Sequence, residues 1–289
     1  SMAEGLARLR VLAESPVVDA LATAFAAAGH ELAVVGGPVR DALLGRDVHD
    51  LDFTTDADPS TILRIVTPIS TAQWDIGRAF GTIGARVLGE QVEITTYRAD
   101  SYDGVTRKPT VEFGTSLEPD LARRDFTMNA MALRVPQLQL VDPTGGVEDL
   151  LAGRLRTPGD PHVSFGDDPL RMLRAARFAS QLEVEVVPET VAAMAELRET
   201  LSIVSPERVQ GELVRLMQTD DPVRGIRLLV ETGLMAEFLP EVPALRLEVD
   251  EHHHHKDVYE HSLTVLRQAI SLEKSRHPDA APDVALRIA

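Results

Sequence analysis

The sequence predicts a mixed α/β unit of about 150 residues followed by an all-helical region. Three observations carry that division. Strand and helix signals alternate up to Leu150, strand signals fade after it, and the later apolar residues recur at helical spacing. The length of 289 residues suits two units and a third fragment, at ~100–200 residues per domain. We therefore expect one domain over 1–150, a second over 151–240, and the start of a third over 241–289.

The elements follow in order. Ser15-Pro16 pairs an N-cap residue with proline at the first helical position; Val17, Leu21, Phe25 and Ala28 then form one face, and Gly29 stops the helix. Leu32 to Val35 is a short apolar strand running into Gly36-Gly37, and 39–44 reads as a helix closed by Gly45. A second strand covers 51–54 and a helix 60–66. The stretch 82–97 alternates around Gly89-Glu90, as a hairpin does. Residues 99–119 are polar with weak periodicity, which reads as a long functional loop. Helices are expected over 170–178, 189–199, 205–217, 222–232 and 257–272, and an apolar pattern still running at Ala289 suggests a piece of a longer chain.

Composition narrows the function. Hydrophobic residues make up 44% and charged residues 26%, the profile of a soluble globular protein. No apolar run approaches the ~20 residues of a membrane span, and no secretory signal is visible. With zero cysteines, disulfides and thiolate metal sites are excluded, and a reducing cytoplasm is the expected location. A net charge of −16 repels nucleic acid on average, so an RNA or DNA partner needs a local basic track or metal ions. Aromatic residues at 4% argue against a base-stacking platform. Composition alone favours a small-molecule enzyme.

Four motifs carry chemistry. Gly36-Gly37-Pro38-Val39-Arg40-Asp41 lies between a strand and a helix, where paired glycines and a helix N-terminus suit phosphate oxygens and Arg40 offers a fork. A plain strand–turn–helix would use the same glycines. Asp50-Leu51-Asp52 opens the next strand with two carboxylates on one face, which repel unless a divalent cation such as Mg²⁺ sits between them. Acid pairs of this spacing also arise by chance, as at Asp56-Ala57-Asp58. Glu93, on the later hairpin, is either a third carboxylate of a two-metal site or a solvated strand residue. In Arg123-Arg124-Asp125-Phe126-Thr127-Met128-Asn129-Ala130, Arg124 suits a triphosphate and Asp125 with Asn129 a ribose hydroxyl; a surface helix with internal ion pairs fits the same residues. Finally, Asp167-Asp168-Pro169-Leu170-Arg171 opens a helix on which Arg171, Arg174 and Arg177 step by three, with Asp168 and Arg171 as neighbours on one face. Capping explains the acids but not the arginine row.

In this order the motifs resemble the class II tRNA nucleotidyltransferases, the CCA-adding enzymes, and their relatives the bacterial poly(A) polymerases. Asp142-Pro143, Gly145-Gly146 and Glu148-Asp149-Leu150 look like the family's connector from head to neck, and Ser205-Pro206-Glu207-Arg208 with Glu212-Leu213 like its last neck motif. The resemblance implies an α/β nucleotidyltransferase head of the polymerase-β-like kind, an all-helical neck, and a partial helical body or HD-like fragment. It implies two Mg²⁺ ions on Asp50 and Asp52, with Glu93 as a third catalytic carboxylate. Nucleotide would be bound by Gly36, Gly37, Arg40, Arg124, Asp125 and Asn129, while Asp168, Arg171, Arg174 and Arg177 form the template helix for the incoming base. The implied reaction adds CMP and AMP from CTP and ATP to a tRNA 3′ end, or AMP alone in a poly(A) polymerase. No membrane or protein partner is expected. Asp167 stands where the family often has glutamate, and Pro169 tightens the helix start. His252, His253, His254 and His255, followed by Tyr259-Glu260-His261-Ser262, resemble the beginning of an HD phosphohydrolase-like domain whose His-Asp doublet is missing, so that chemistry is not expected.

Overall fold

Among the described residues, seven strands of the first expected domain lie in one sheet and two form a separate pair. The computed structural model describes residues 1–77, 80–101, 110–247 and 258–288, so His252 to His255 and residues 102–109 of the expected loop lie outside the described residues. The chain divides into two compact units, Ser1–Leu151 and Ala152–Ala289. In the first, α1 (Met2–Ala13) and α2 (Pro16–Ala27) precede β1 (Leu32–Val35), α3 (Gly37–Leu44), β2 (Leu51–Thr55) and α4 (Pro59–Val66). There follow β3 (Ala72–Gly77), β4 (Thr82–Val87), β5 (Glu90–Thr96), β6 (Arg98–Ser101), β7 (Thr110–Phe113), α5 (Leu117–Ala122), β8 (Ala132–Arg134), β9 (Gln139–Val141) and α6 (Gly146–Ala152).

Seven strands form one sheet in the order β3-β4-β5-β2-β1-β8-β9. Only β2 and β5 run parallel; the other neighbours are antiparallel. The two-residue period of the strands then sorts their side chains. Leu51, Phe53, Val92, Ile94, Ile83 and Ala85 face one way and pack with Leu21 and Phe25 of α2 and Ile62 of α4. On the opposite face, Ala33, Val35 and Ala132 are covered by Tyr97 and by Leu117 and Leu121 of α5. The remainder of that face carries the polar residues of β2 and β5, including Asp52 and Glu93.

Two readings are corrected here. The stretch 99–119 contains strands: β6 and β7 pair antiparallel with Arg98 opposite Phe113 and Ser101 opposite Thr110. Four-residue strands are too short to establish a period against flanking Gly, Pro and charge. Residues 123–130 are not a helix. Helix α5 ends at Ala122, and a single 3₁₀ turn covers Thr127–Asn129. The Asp125 carboxylate accepts from the Phe126 N–H at 2.7 Å, the local side-chain bond that competes with a helical ladder. The neighbouring pair Asp56 and Asp58 proves structural: Asp58 caps α4 by accepting from the Thr61 N–H at 2.7 Å, and Asp56 accepts from the Glu31 N–H at 2.9 Å.

The second unit comprises β10 (Arg154–Leu155), α7 (Pro161–Asp167), α8 (Leu170–Gln181), β11 (Glu185–Val186), α9 (Pro188–Leu197), α10 (Pro206–Met217), α11 (Val223–Glu231), α12 (Glu241–Ala244), α13 (Val258–Arg276) and α14 (Val284–Ile288). Helix α8 is its centre, burying Leu170, Met172, Leu173, Ala175, Ala176 and Phe178, with α10 and α11 packed on it. Residues from 241 onward belong to this same unit: Arg287 of α14 donates to the Met217 and Thr219 carbonyls at 2.6 and 2.8 Å and to Glu273 at 2.9 Å. Among the described residues, no helix is long and apolar enough to cross a membrane.

Close approach of α11 to α8 depends on one glycine. A Cβ at Gly225 would lie 2.6 Å from the Ala176 carbonyl oxygen and 2.5 Å from a Leu216 methyl, and the Gly225 N–H already donates to Ser180 Oγ at 2.8 Å. Backbone on one side and a bonded hydroxyl on the other leave no room to give. Gly225→Ala is expected to destabilise the chain by about 1–3 kcal/mol, read as a lower denaturant midpoint with an unchanged slope.

Candidate active site

The acid pair sits where the chain enters β2. Leu51 is buried in the core, which turns its neighbours Asp50 and Asp52 away from it. Asp50 has φ 49, a left-handed conformation that a short polar side chain tolerates better than most. In the parallel pairing of β2 with β5, Asp52 lies directly opposite Glu93. Asp50, Leu51, Asp52, Gln91 and Glu93 line one recess of about 240 Å³. Burial, then the charges of Glu93 and Asp50, push the Asp52 carboxyl up to about 6, against an opposing pull from Arg124. The recess therefore concentrates negative charge that Arg124 offsets only in part.

That excess is the observation on which a divalent cation fits. Carboxylate oxygens suit a hard cation, and although burial is the main cause of the Asp52 shift, the repulsion that Glu93 and Asp50 add to it is what a positive charge in the recess would relieve. Among the described residues, no three His, Cys, Asp or Glu side chains converge on a single point that would hold an ion unaided. The donor set is thus Asp50 and Asp52, with Glu93 beside them, and leaves room for other oxygen ligands; Mg²⁺ usually keeps several water or phosphate oxygens of this kind.

The glycine turn abuts the same end of the sheet. Strands β1 and β2 pair antiparallel with Val34 opposite Phe53, so Gly36 follows β1 where β2 begins. Gly36 adopts φ 77 and ψ −130, a region open essentially to glycine alone, and its N–H donates to the Met131 carbonyl at 3.1 Å. The N-terminus of α3 follows directly. Beside the turn lies Arg124, whose Nη1 is 3.6 Å from where a Gly36 Cβ would sit. Asp120, fully buried, holds this guanidinium at 3.3 Å and also accepts from Arg123 at 3.4 Å and from the Arg98 N–H at 2.9 Å. Arg124 Nε is buried with no acceptor among the described residues. Sequence spacing did not reveal Asp120, which anchors the site's cation; an acid four residues before Arg124, in a helical turn, was the available signal.

Arg40 has its fork engaged by protein groups. It is 5% exposed, donates from Nη1 to Asn129 Oδ1 at 2.6 Å and from Nε to Asp41 at 2.9 Å. Asn129 in turn donates through Nδ2 to Asp125 Oδ1 at 3.1 Å. Arg40, Asn129 and Asp125 therefore form one buried chain of hydrogen bonds, and Arg124 is the more exposed cation at the turn.

The second unit holds the remaining candidates. Asp168 lies before α8, at the end of α7, with φ −146 and ψ 100; it is not on the helix face with Arg171. Pro169 and this extended residue precede α8, which starts at Leu170 as the spacing suggested. The Asp168 carboxylate meets Arg208 at 2.9 Å, and Arg171 donates to Ser164 Oγ at 3.0 Å. Arg177 is half-buried against Glu212 at 2.7 Å and Gln181 at 3.0 Å, with burial lowering its pKa against the pull of Glu212. Arg174 reaches the same Glu212 at 3.7 Å and is more exposed. Arg177 thus braces α8 against α10, a partner 35 residues away that no local pattern reveals.

A carboxyl raised from 3.8 to about 6 by folding binds protons in the folded state that the unfolded chain has released. The contribution of Asp52 to metal-free stability should therefore be greatest below pH ~4, fall as pH rises to ~6, and level off above it, a loss of up to ~3 kcal/mol. Asp52→Asn should flatten that segment and raise stability at pH 8 without metal. Denaturant melts of both proteins across this pH range, with and without Mg²⁺, measure it; in the wild type Mg²⁺ should restore stability mainly above pH 6.

Comparison with known proteins agrees with this layout. Residues 32–156 match a family described as the poly A polymerase head domain, and residues 184–245 one described as a probable RNA and SrmB-binding site of polymerase A. A CCA-adding enzyme of Bacillus licheniformis is 42% identical over 211 residues, covering 73% of this chain and 52% of that protein. One of Bacillus pumilus is 40% identical over 221 residues, covering 76% of this chain and 54% of that protein. The chain spans about half the length of these curated relatives. The crystal structure of a Bacillus stearothermophilus CCA-adding enzyme in complex with CTP superposes with a TM-score of 0.67 at 30% identity, covering 89% of this chain and 69% of that one. Nucleotidyltransferases of this kind depend on a divalent metal, which the Asp50, Asp52 and Glu93 recess suits. The fold, the ordered motifs and these matches together place the chain in the family of CCA-adding tRNA nucleotidyltransferases and poly(A) polymerases.

Proposed function

We propose that this chain adds CMP and AMP, from CTP and ATP, to the 3′ end of tRNA in the cytoplasm, with Mg²⁺ as the metal. The observation that carries the nucleotidyl-transfer reading is the acidic recess of Asp50, Asp52 and Glu93 at the end of the sheet that also bears the Gly36 turn and Arg124. What supports CCA addition is the shared name of relatives at 40–42% identity and the CTP held by a related structure. Each turnover would join the RNA 3′ oxygen to the α-phosphorus, break the α–β anhydride, and release pyrophosphate and the hydroxyl proton. Bound at Asp50 and Asp52, Mg²⁺ would make the hydroxyl more acidic and neutralise the leaving oxygens.

The protein's own contribution is placement and charge. Asp50 and Asp52 fix where the metal is held, and Glu93, paired in register with Asp52, closes the recess on one side. Gly36 brings backbone close to the phosphates at the N-terminus of α3, and Arg124, anchored by Asp120, faces their negative charge. Arg40 acts through Asn129, holding its amide so that Asn129 and Asp125 present fixed polar groups to the ribose. Asp168 and Arg171 read the base. A carboxylate only accepts and a guanidinium only donates, which matches the amine and ring nitrogen shared by cytosine and adenine and mismatches uracil and guanine.

The decisive experiment supplies tRNA lacking its 3′ CCA with each nucleotide singly and together, followed by product sequencing. CMP, CMP and AMP in order are expected; runs of AMP from ATP alone would assign the chain to poly(A) synthesis, and no incorporation would overturn the proposal. Asp50→Asn and Asp52→Asn, which keep shape and, at position 50, tolerance of the left-handed backbone, should each lower turnover by about 10³-fold or more. Asn129→Ala and Arg40→Ala should each reduce the preference for CTP over dCTP. Because they act through one hydrogen bond, the double variant should lose little more than either alone.

A further inference from the structure

Ser164 and Arg208, the latter from the last neck motif, lie against the base-reading pair. Ser164 of α7, 8% exposed, touches both members: its carbonyl accepts from the Asp168 N–H at 3.3 Å, and its hydroxyl accepts from Arg171 Nη1 at 3.0 Å. Arg208, in the first turn of α10, reaches the Asp168 carboxylate with both ends of its fork, Nη2 to Oδ2 at 2.9 Å and Nη1 to Oδ1 at 3.5 Å. The Leu170 N–H donates to the same Oδ1 at 3.1 Å. Arg208 is itself set by the cap of its helix, where Ser205 Oγ accepts from the Arg208 N–H at 3.4 Å.

We propose that Arg208 is a specificity-determining positioning residue, which fixes the plane of the Asp168 carboxylate so that it accepts from one exocyclic amine of the incoming base, with Ser164 setting the reach of Arg171. This deepens the CCA-adding reading and rests on it. The argument is one of lone pairs. An ionised carboxylate offers about four acceptor positions. Leu170 and the two Arg208 nitrogens take three of them, all on the protein side. One position is left over, enough for a single amine hydrogen. A two-point fork also stops the carboxylate from rotating, which a point charge cannot do. Without it Asp168 can turn, accept at other angles, and make room for a carbonyl-bearing base.

A purely structural role for the pair is a weak explanation. Arg208 is 53% exposed and the Asp168 side chain 31%, and ion pairs in that range add little to folding. What such a pair does reliably is constrain geometry. Ser164 differs, because its buried hydroxyl steadies a donor rather than an acceptor; its loss should weaken binding of every base that Arg171 contacts without favouring uracil.

The test is equilibrium binding of CTP, ATP and UTP to the intact chain in Mg²⁺, by calorimetric titration, alongside single-nucleotide incorporation into tRNA lacking CCA. The wild type should prefer CTP and ATP over UTP. Arg208→Ala should lower that preference by about tenfold or more, and Arg208→Lys, which keeps the charge without the fork, should not restore it, while melting midpoints stay at the wild-type value. In an Asp168→Asn background, Arg208→Ala should cause no further loss. Ser164→Ala should weaken CTP and ATP together and leave the ratio to UTP nearly unchanged. A wild type that does not prefer CTP and ATP over UTP overturns the base-reading assignment itself. A wild type with the preference and an Arg208→Ala variant that keeps it overturns the role of Arg208 alone, as does additivity with Asp168→Asn.

Discussion

Asp52 faces Glu93 because β2 and β5 run parallel in a single register, and the chemistry of the first unit depends on that pairing. A slip of one residue would send Asp52 and Asp50 toward the core and Leu51 toward solvent. The register is held from the other face of the sheet: Leu51, Phe53, Val92 and Ile94 are all buried, and each has a place only in the observed alignment. Hydrophobic packing beneath the strands thus supplies the force that holds two like charges side by side above them. Burial first, and then this repulsion, raise the proton affinity of Asp52, and the cation expected between the acids would relieve the repulsive part.

Much of this was legible in the sequence. Apolar alternation around Gly89-Glu90 located β4 and β5, and Leu51 between two acids located the entry of β2, because a core residue in a two-residue period decides which way its neighbours face. Ser205-Pro206 marked the start of α10, where the Ser205 hydroxyl does cap the first turn. What local pattern could not supply was the partner of each polar side chain. Arg40, Arg124 and Arg177 look alike in a string of letters, yet one is buried on Asn129, one is anchored by Asp120 beside the glycine turn, and one is held by Glu212. Residues 123–130 misled for a related reason: the acid Asp125 bonds to the Phe126 backbone and to the Asn129 amide, so a helical spacing carries no helix.

The arginines also show how a chain with a net charge of −16 presents positive groups locally. In the second unit, Glu212 is nearly fully buried and is approached by Arg174, Arg177 and Arg215, so that a single acid faces three cations on α8 and α10. Local sign, not the total, decides what a surface attracts over the ~10 Å that salt leaves unscreened. The overall acidity then serves to disfavour nucleic acid elsewhere on the chain.

The row that contains Asp52 and Glu93 continues across the sheet to Gly84 on β4 and Trp74 on β3, each opposite the next. A Cβ at Gly84 would overlap the indole of Trp74, so the ring lies over that glycine on the same side of the sheet as the two acids. Trp74 is the single tryptophan of the chain. Its ultraviolet emission therefore reports from one address, the acidic face of the sheet, and the protein carries its own optical label for events at that face without any chemical modification.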